Sequence, residues 1–293
     1  MSVEPTTKPA AAAGTVALGD LSVNRMGFGA MRLTGPGVWG EPPDREEAIA
    51  VLRRAVDVGV TLIDTAAAYG PEVSERLIAE ALHPYPEDLV IATKGGLTRP
   101  GPGQWRRDCR PETLRKSLDG SLERLRLERV DVYQLHTVDP TVPLEESVGA
   151  LADMQREGKI RPIGLSNVDT RQLATARKLA DIVSVQNRYS VAERYTEGTL
   201  EACERAGIAF LPWFPLAVGA LTKSTGRLAE IGRAKGATAA QVALAWLLRR
   251  SPVMAVIPGT SSVAHLEENV AAAAIALSEA EYFELNHSAE AAL

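Results

Sequence analysis

Cysteine is scarce in this chain. Its 293 residues include two, Cys109 and Cys203, too far apart to suggest a disulfide framework or a metal knuckle, so both read as free thiols in a reducing compartment. A basic excess is also missing. The formal net charge is −5, whereas a nucleic-acid face needs concentrated Lys and Arg, so no nucleic-acid partner is expected. No apolar run approaches the roughly 18 residues of a membrane span. Before the first strand signal there is only Lys8 and a short Ala run, not the apolar core of a secretion signal, so a cytoplasmic protein without a membrane partner is expected. No G-x-G-x-x-G joins a first strand to a helix, which disfavours a Rossmann domain. No Cys/His cluster stands out as a metal site.

What is present is a large apolar fraction, 45%, and two short stretches that carry chemistry. The first is Thr61-Leu62-Ile63-Asp64-Thr65-Ala66-Ala67-Ala68-Tyr69-Gly70; the second is Leu89-Val90-Ile91-Ala92-Thr93-Lys94. Each starts as the apolar run of a buried parallel strand and ends on polar residues. Charges at buried strand ends are costly unless paired, so Asp64 and Lys94 suggest a mutual ion pair. A phenol beside that cation should have its pKa lowered from about 10, which makes Tyr69 a candidate general acid. Taken singly, each could be an ordinary polar residue at a strand end.

Together these residues resemble the aldo-keto reductase superfamily, whose signatures include D-T-A-x-x-Y-G and a T-K on the next strand. A third buried run, Val130-Asp131-Val132-Tyr133-Gln134-Leu135-His136, ends on a histidine where the family places the last member of its tetrad. The resemblance, which covers nearly the whole chain after the N-terminal tail, implies the catalytic set Asp64, Tyr69, Lys94 and His136. It further implies NADPH as cofactor, with NADH possible, and a small carbonyl compound as substrate.

The remaining pattern alternates strands and helices. Strands are expected at 61–64, 89–94, 130–135, 160–165, 182–185, 208–211 and 254–257, with Ala273–Ala276 as the candidate eighth. The fold class is therefore α/β, a (β/α)8 TIM barrel with an N-terminal β-hairpin cap around Gly19-Asp20. Residues 1–14 read as a disordered tail and 15–293 as one domain. Asp44 should cap a helix, with Glu47 at the capping-box position.

The resemblance also distributes cofactor contacts. Gly29, Ala30 and Met31 would lie beside the nicotinamide, their small residues allowing close approach. Ser166, Asn167 and Gln186 would hydrogen-bond its carboxamide. Trp213 stands where the family usually has a stacking Tyr. Leu216, Gly219 and Leu221 belong to a loop expected at the pyrophosphate. Thr260, Ser261, His265, Glu268 and Asn269 would hold the 2′-phosphate and adenine. Gly259 and His265 replace the Lys and Arg common there, which weakens the case for strict NADPH specificity. Trp39 and Trp105 are candidate substrate walls. Gly35-Pro36-Gly37-Val38-Trp39-Gly40 and the run from Ile257 to Leu266 look like a bacterial pyridoxal reductase-like subgroup, making pyridoxal the leading named substrate and a general aldehyde or ketone reductase the alternative. A different class remains open: a nucleotide-binding regulatory subunit of the channel β-subunit type, distinguished by negligible turnover of a small aldehyde. Oligomeric state is not legible.

Overall fold

Buried apolar strands alternating with helices are satisfied when helices cover the outside of the sheet. The computed structural model, which describes residues 8–215 and 226–287, has this arrangement. An antiparallel hairpin, β1 (Thr15–Leu18) and β2 (Leu21–Asn24), comes first. Then follow β3 (Phe28–Gly29), α1 (Arg45–Asp57), β4 (Leu62–Asp64), α2 (Val73–Leu82) and β5 (Val90–Gly95). A small hairpin of β6 (Leu97–Thr98) and β7 (Arg106–Arg107) precedes α3 (Pro111–Leu125). The alternation resumes with β8 (Val132–Leu135), α4 (Leu144–Arg156), β9 (Ile163–Ser166), α5 (Thr170–Ala176), β10 (Ile182–Arg188), α6 (Glu197–Ala206) and β11 (Ala209–Trp213). Four helices complete the order: α7 (Arg227–Lys235), α8 (Ala239–Arg250), α9 (Val263–Ala271) and α10 (Glu279–His287).

The staves form one parallel sheet in the order β11-β10-β9-β8-β5-β4-β3. Residues 254–257 close it: Met254 bridges Phe210 of β11, and Val256 bridges Met26 just before β3. Arg25 reinforces the seam by donating to the carbonyls of Met254, Leu248 and Ser251. The eighth stave is thus β3, at the start of the barrel, and not Ala273–Ala276. Ala272–Ala274 form a 3-10 turn instead. A stave of two residues offers no alternation to read, so periodicity does not reveal it as a strand.

Two apolar layers result. Val16, Leu18 and Val23 of the hairpin pack with Leu62, Val90, Ala92, Val132, Leu211 and Ala255 inside the barrel, so the hairpin fills the barrel floor as expected. A larger cluster lies between strands and helices, with Ile63, Ile91, Tyr133 and Leu135 facing helix residues such as Leu77, Leu118 and Leu151. The expected tail is shorter than 1–14, because Pro9–Ala13 form a 3-10 turn with Ala10 wholly buried. Residues 1–7 lie outside the described residues. Among the described residues, no helix is long and apolar enough to cross a membrane.

Candidate active site

Strand periodicity decides which side chains enter the barrel. Side chains two residues apart share a face, so Leu62 and Asp64, Val90, Ala92 and Lys94, and Val132, Gln134 and His136 all point inward near the strands' C-terminal ends. In β/α barrels that end carries the active site. Here it opens into a cavity of about 690 Å³ whose lining includes Asp64, Tyr69 and His136.

Lys94 is fully buried. Its Nζ donates to Asp64 Oδ2 at 2.7 Å and to the Thr65 carbonyl at 2.8 Å, and stands 3.5 Å from the Tyr69 hydroxyl. Asp64 also accepts from Gln186 Nε2 at 2.8 Å and Gln134 Nε2 at 3.2 Å. Asp64, Lys94, Gln134 and Gln186 would each be costly inside an apolar barrel; here the three donors share the one carboxylate. The Tyr69 and His136 rings meet edge to face, centroids 5.8 Å apart. The expected lowering of the Tyr69 pKa is corrected. Burial raises it from the ordinary phenol value, and the attraction of Lys94 offsets this only in part, opposed by Asp64. Burial, assisted by Lys94, holds the His136 imidazole well below its ordinary pKa and therefore neutral.

Residues outside the tetrad support it from behind. The Thr65 hydroxyl donates to Ser74 Oγ, which donates to the Ala30 carbonyl, tying the strand end to the segment after β3. Thr93 donates to Glu75 at 2.6 Å, and Glu75 pairs with Arg124 at 2.7 Å. Sequence reasoning missed Gln134, Ser74, Glu75 and Arg99. Gln134 had a readable signal, a polar residue in phase with His136 within an apolar strand. Cys109 and Cys203 are free and buried, their thiols pushed up to about 12 by desolvation.

A family model described as "Aldo/keto reductase family" matches residues 25–290. The chain belongs to the aldo/keto reductase family. It is 48% identical over 271 residues to the pyridoxine 4-dehydrogenase of Escherichia coli, covering 90% of this chain and 94% of that protein. An uncharacterized oxidoreductase of Schizosaccharomyces pombe is 49% identical over 277 residues, covering 94% and 90%. Among solved structures, a glycerol dehydrogenase from Gluconobacter oxydans superposes with a TM-score of 0.85 at 26% identity, covering 94% of each chain. An aldo-keto reductase from Klebsiella pneumoniae in complex with NADPH has a TM-score of 0.79 at 29% identity, covering 93% of each. This aldo/keto reductase is an NAD(P)H-dependent oxidoreductase with the (β/α)8 fold.

The reductase's cavity fits a nicotinamide. His136 Nδ1 is buried with no hydrogen-bond partner among the described residues, and Ser166, Gln186 and Trp213 line the wall. Asn167, also lining, is already engaged: it donates to the His136 carbonyl and Ser166 Oγ, and accepts from Trp213 Nε1 at 3.0 Å. Gly29 and Met31 line the cavity, whereas Ala30 is buried behind them. Gly29 and Gly259 face one another too closely for side chains. A Cβ on Gly29 would meet the Ile257 carbonyl at 2.6 Å, and one on Gly259 the Gly29 carbonyl at 2.5 Å. The close approach is to the protein's own backbone, across the seam.

Thr260, Ser261, His265, Glu268 and Asn269 are not in the cavity lining but continue from its edge onto α9. Glu268 accepts from Thr238 at 2.7 Å, tying α9 to α8. Asp44 caps α1 as expected, but Glu47 does not complete the box. Its carboxylate accepts instead from the Val263 amide at the start of α9, at 2.9 Å. Leu216, Gly219 and Leu221 lie outside the described residues. Trp105 lines the cavity, whereas Trp39 does not and sits beside it, bridged to Gly70.

Proposed function

We propose that this reductase converts an aldehyde or ketone to an alcohol, with Tyr69 as general acid and NADPH as the preferred cofactor. The observation that carries the reading is the convergence of Asp64, Tyr69 and His136 in the lining of one cavity, with Lys94 buried behind them against Asp64 and Tyr69. The bound nicotinamide supplies the hydride. Tyr69 gives its proton to the carbonyl oxygen, a contribution of roughly 10²–10⁴-fold for a positioned acid. Lys94, held by Asp64, stabilises the phenolate left behind. Neutral His136 orients the carbonyl and donates to the developing oxyanion. Pyridoxal is the leading named substrate, supported by the similarity to a pyridoxine 4-dehydrogenase. The test is a panel of carbonyls, pyridoxal and 4-nitrobenzaldehyde included, with NADPH and NADH separately. Tight nucleotide binding with negligible turnover of the whole panel would sink the enzyme reading in favour of a regulatory subunit.

The pKa directions give a pH signature. A phenol raised above its ordinary value stays protonated through neutrality, and an imidazole held low stays neutral. Carbonyl reduction should therefore be flat from about pH 6 to 9, while alcohol oxidation, which needs the phenolate as base, should climb towards pH 10. A limb in the reduction profile near pH 7 would contradict the assignment.

The start of α9 bears on the cofactor's 2′-phosphate. An anion is favoured at a helix N-terminus, but the Val263 amide is already taken by Glu47 and the Ser262 amide by Thr260 Oγ1. Glu47→Gln should tighten NADPH by a factor of about 2–5, the size of a charge effect at a helix end. NADH should change little. Fluorescence titration of both nucleotides checks this, and equal shifts would remove Glu47 from the phosphate's neighbourhood.

A further inference from the structure

Arg99 follows β6 at the barrel mouth, and 9% of its surface is accessible. Its Nε donates to the Gln104 carbonyl at 2.9 Å, and its Nη1 to Val38 at 2.8 Å and to Ala68 at 3.2 Å. Nη2 donates to Gly37 at 3.3 Å. The guanidinium also lies over two indole rings, 3.9 Å from the Trp105 centroid and 5.3 Å from that of Trp39. One side chain thus joins three loops: the one after β3, the β4–α2 connection that carries Tyr69, and the β6–β7 hairpin. Four of its five N–H donors go to main-chain oxygens, so it is spent on the protein and not offered to a ligand's anion.

The loop it grips is strained. Val38 has φ of 58°, a left-handed conformation that is an outlier for a β-branched residue. Such strain persists where the surroundings over-determine it. Here the Val38 carbonyl accepts from both Arg99 and the Gly70 amide. Gly37, Val38 and Trp105 all line the cavity that holds Tyr69.

We propose that Arg99 is a positioning residue that fixes the width of the substrate mouth. It sets Val38 and Trp105 as an apolar wall against which a planar, aromatic carbonyl compound packs. This rests on the carbonyl-reductase reading for its substrate class. The stacked fork, and not the charge alone, is what the geometry uses, so lysine is not an equivalent.

The test compares the parent with Arg99→Met and Arg99→Lys in the full chain. Steady-state kinetics use 4-nitrobenzaldehyde and the small methylglyoxal, each with NADPH, alongside the NADPH dissociation constant. Hydrogen exchange is followed in peptides spanning 35–41 and 100–107. In both variants KM for 4-nitrobenzaldehyde should rise roughly tenfold or more, the scale on which pocket contacts discriminate. The kcat for that aldehyde, the kcat/KM for methylglyoxal and the NADPH affinity should stay within about threefold. Both peptides should exchange faster. If Arg99→Met fails to fold, Arg99→Lys carries the test. A parental KM in Arg99→Lys, an equal loss of kcat for both aldehydes, or unchanged exchange would overturn the proposal. A parent that turns over no carbonyl would overturn the reductase reading instead, and the exchange measurement would still decide whether Arg99 holds the mouth.

Discussion

Tyr69→Phe is expected to bind NADPH with the parent's affinity and to reduce 4-nitrobenzaldehyde about 10²- to 10⁴-fold more slowly. The ring is buried against His136 and contributes packing that phenylalanine keeps. Only the hydroxyl is lost, and with it the proton that the alkoxide must receive. Because Lys94 is bonded chiefly to Asp64 and Thr65, its position should survive the change. Single-turnover rates with nucleotide bound separate the chemical step from binding. Activity above a tenth of the parent's would remove Tyr69 from the acid's role.

Lys94→Met should be nearly as damaging to turnover, and also to stability. Lys94 is the cation paired with Asp64, and Asp64 is 3% exposed. Breaking a buried pair by removing one partner typically costs about 3–5 kcal/mol, because the remaining charge is stranded. Gln134 and Gln186 still donate to Asp64, which places the expected loss at the lower end. Adding Asp64→Asn should restore much of the stability, since no charge is then stranded, yet none of the activity. Urea denaturation of the two single variants and the double variant gives the coupling. Additive stability losses would show that the pair is not energetically linked.

The two kinds of information in the sequence were unequally legible. Asp64, Lys94 and His136 could be placed because each ends an apolar run, and strand parity then fixes where it points. A helix with a clear cap, α1 behind Asp44, lies where expected. The last helix, α10, was missed because its apolar residues do not fall on one face and Leu285 alone among them is fully buried. The rise in the Tyr69 pKa was missed for a related reason. Sequence shows that a lysine is near, but not that desolvation outweighs it. Arg99 could not be seen at all, since its partners are main-chain oxygens that no residue identity announces.

The closing seam has a consequence for how the molecule comes into being. Asp64, Tyr69, Lys94 and His136 all lie in the first half of the chain, and Gln134, which steadies them, lies there too. The stave that faces β3 is residues 254–257, and the backbone contact between Gly29 and Gly259 forms across it. A chain emerging from the ribosome N-terminus first therefore carries all four residues of the proposed proton-handling set long before it has a closed wall beside them. The barrel that would seat the nucleotide closes only when residues 254–257 arrive.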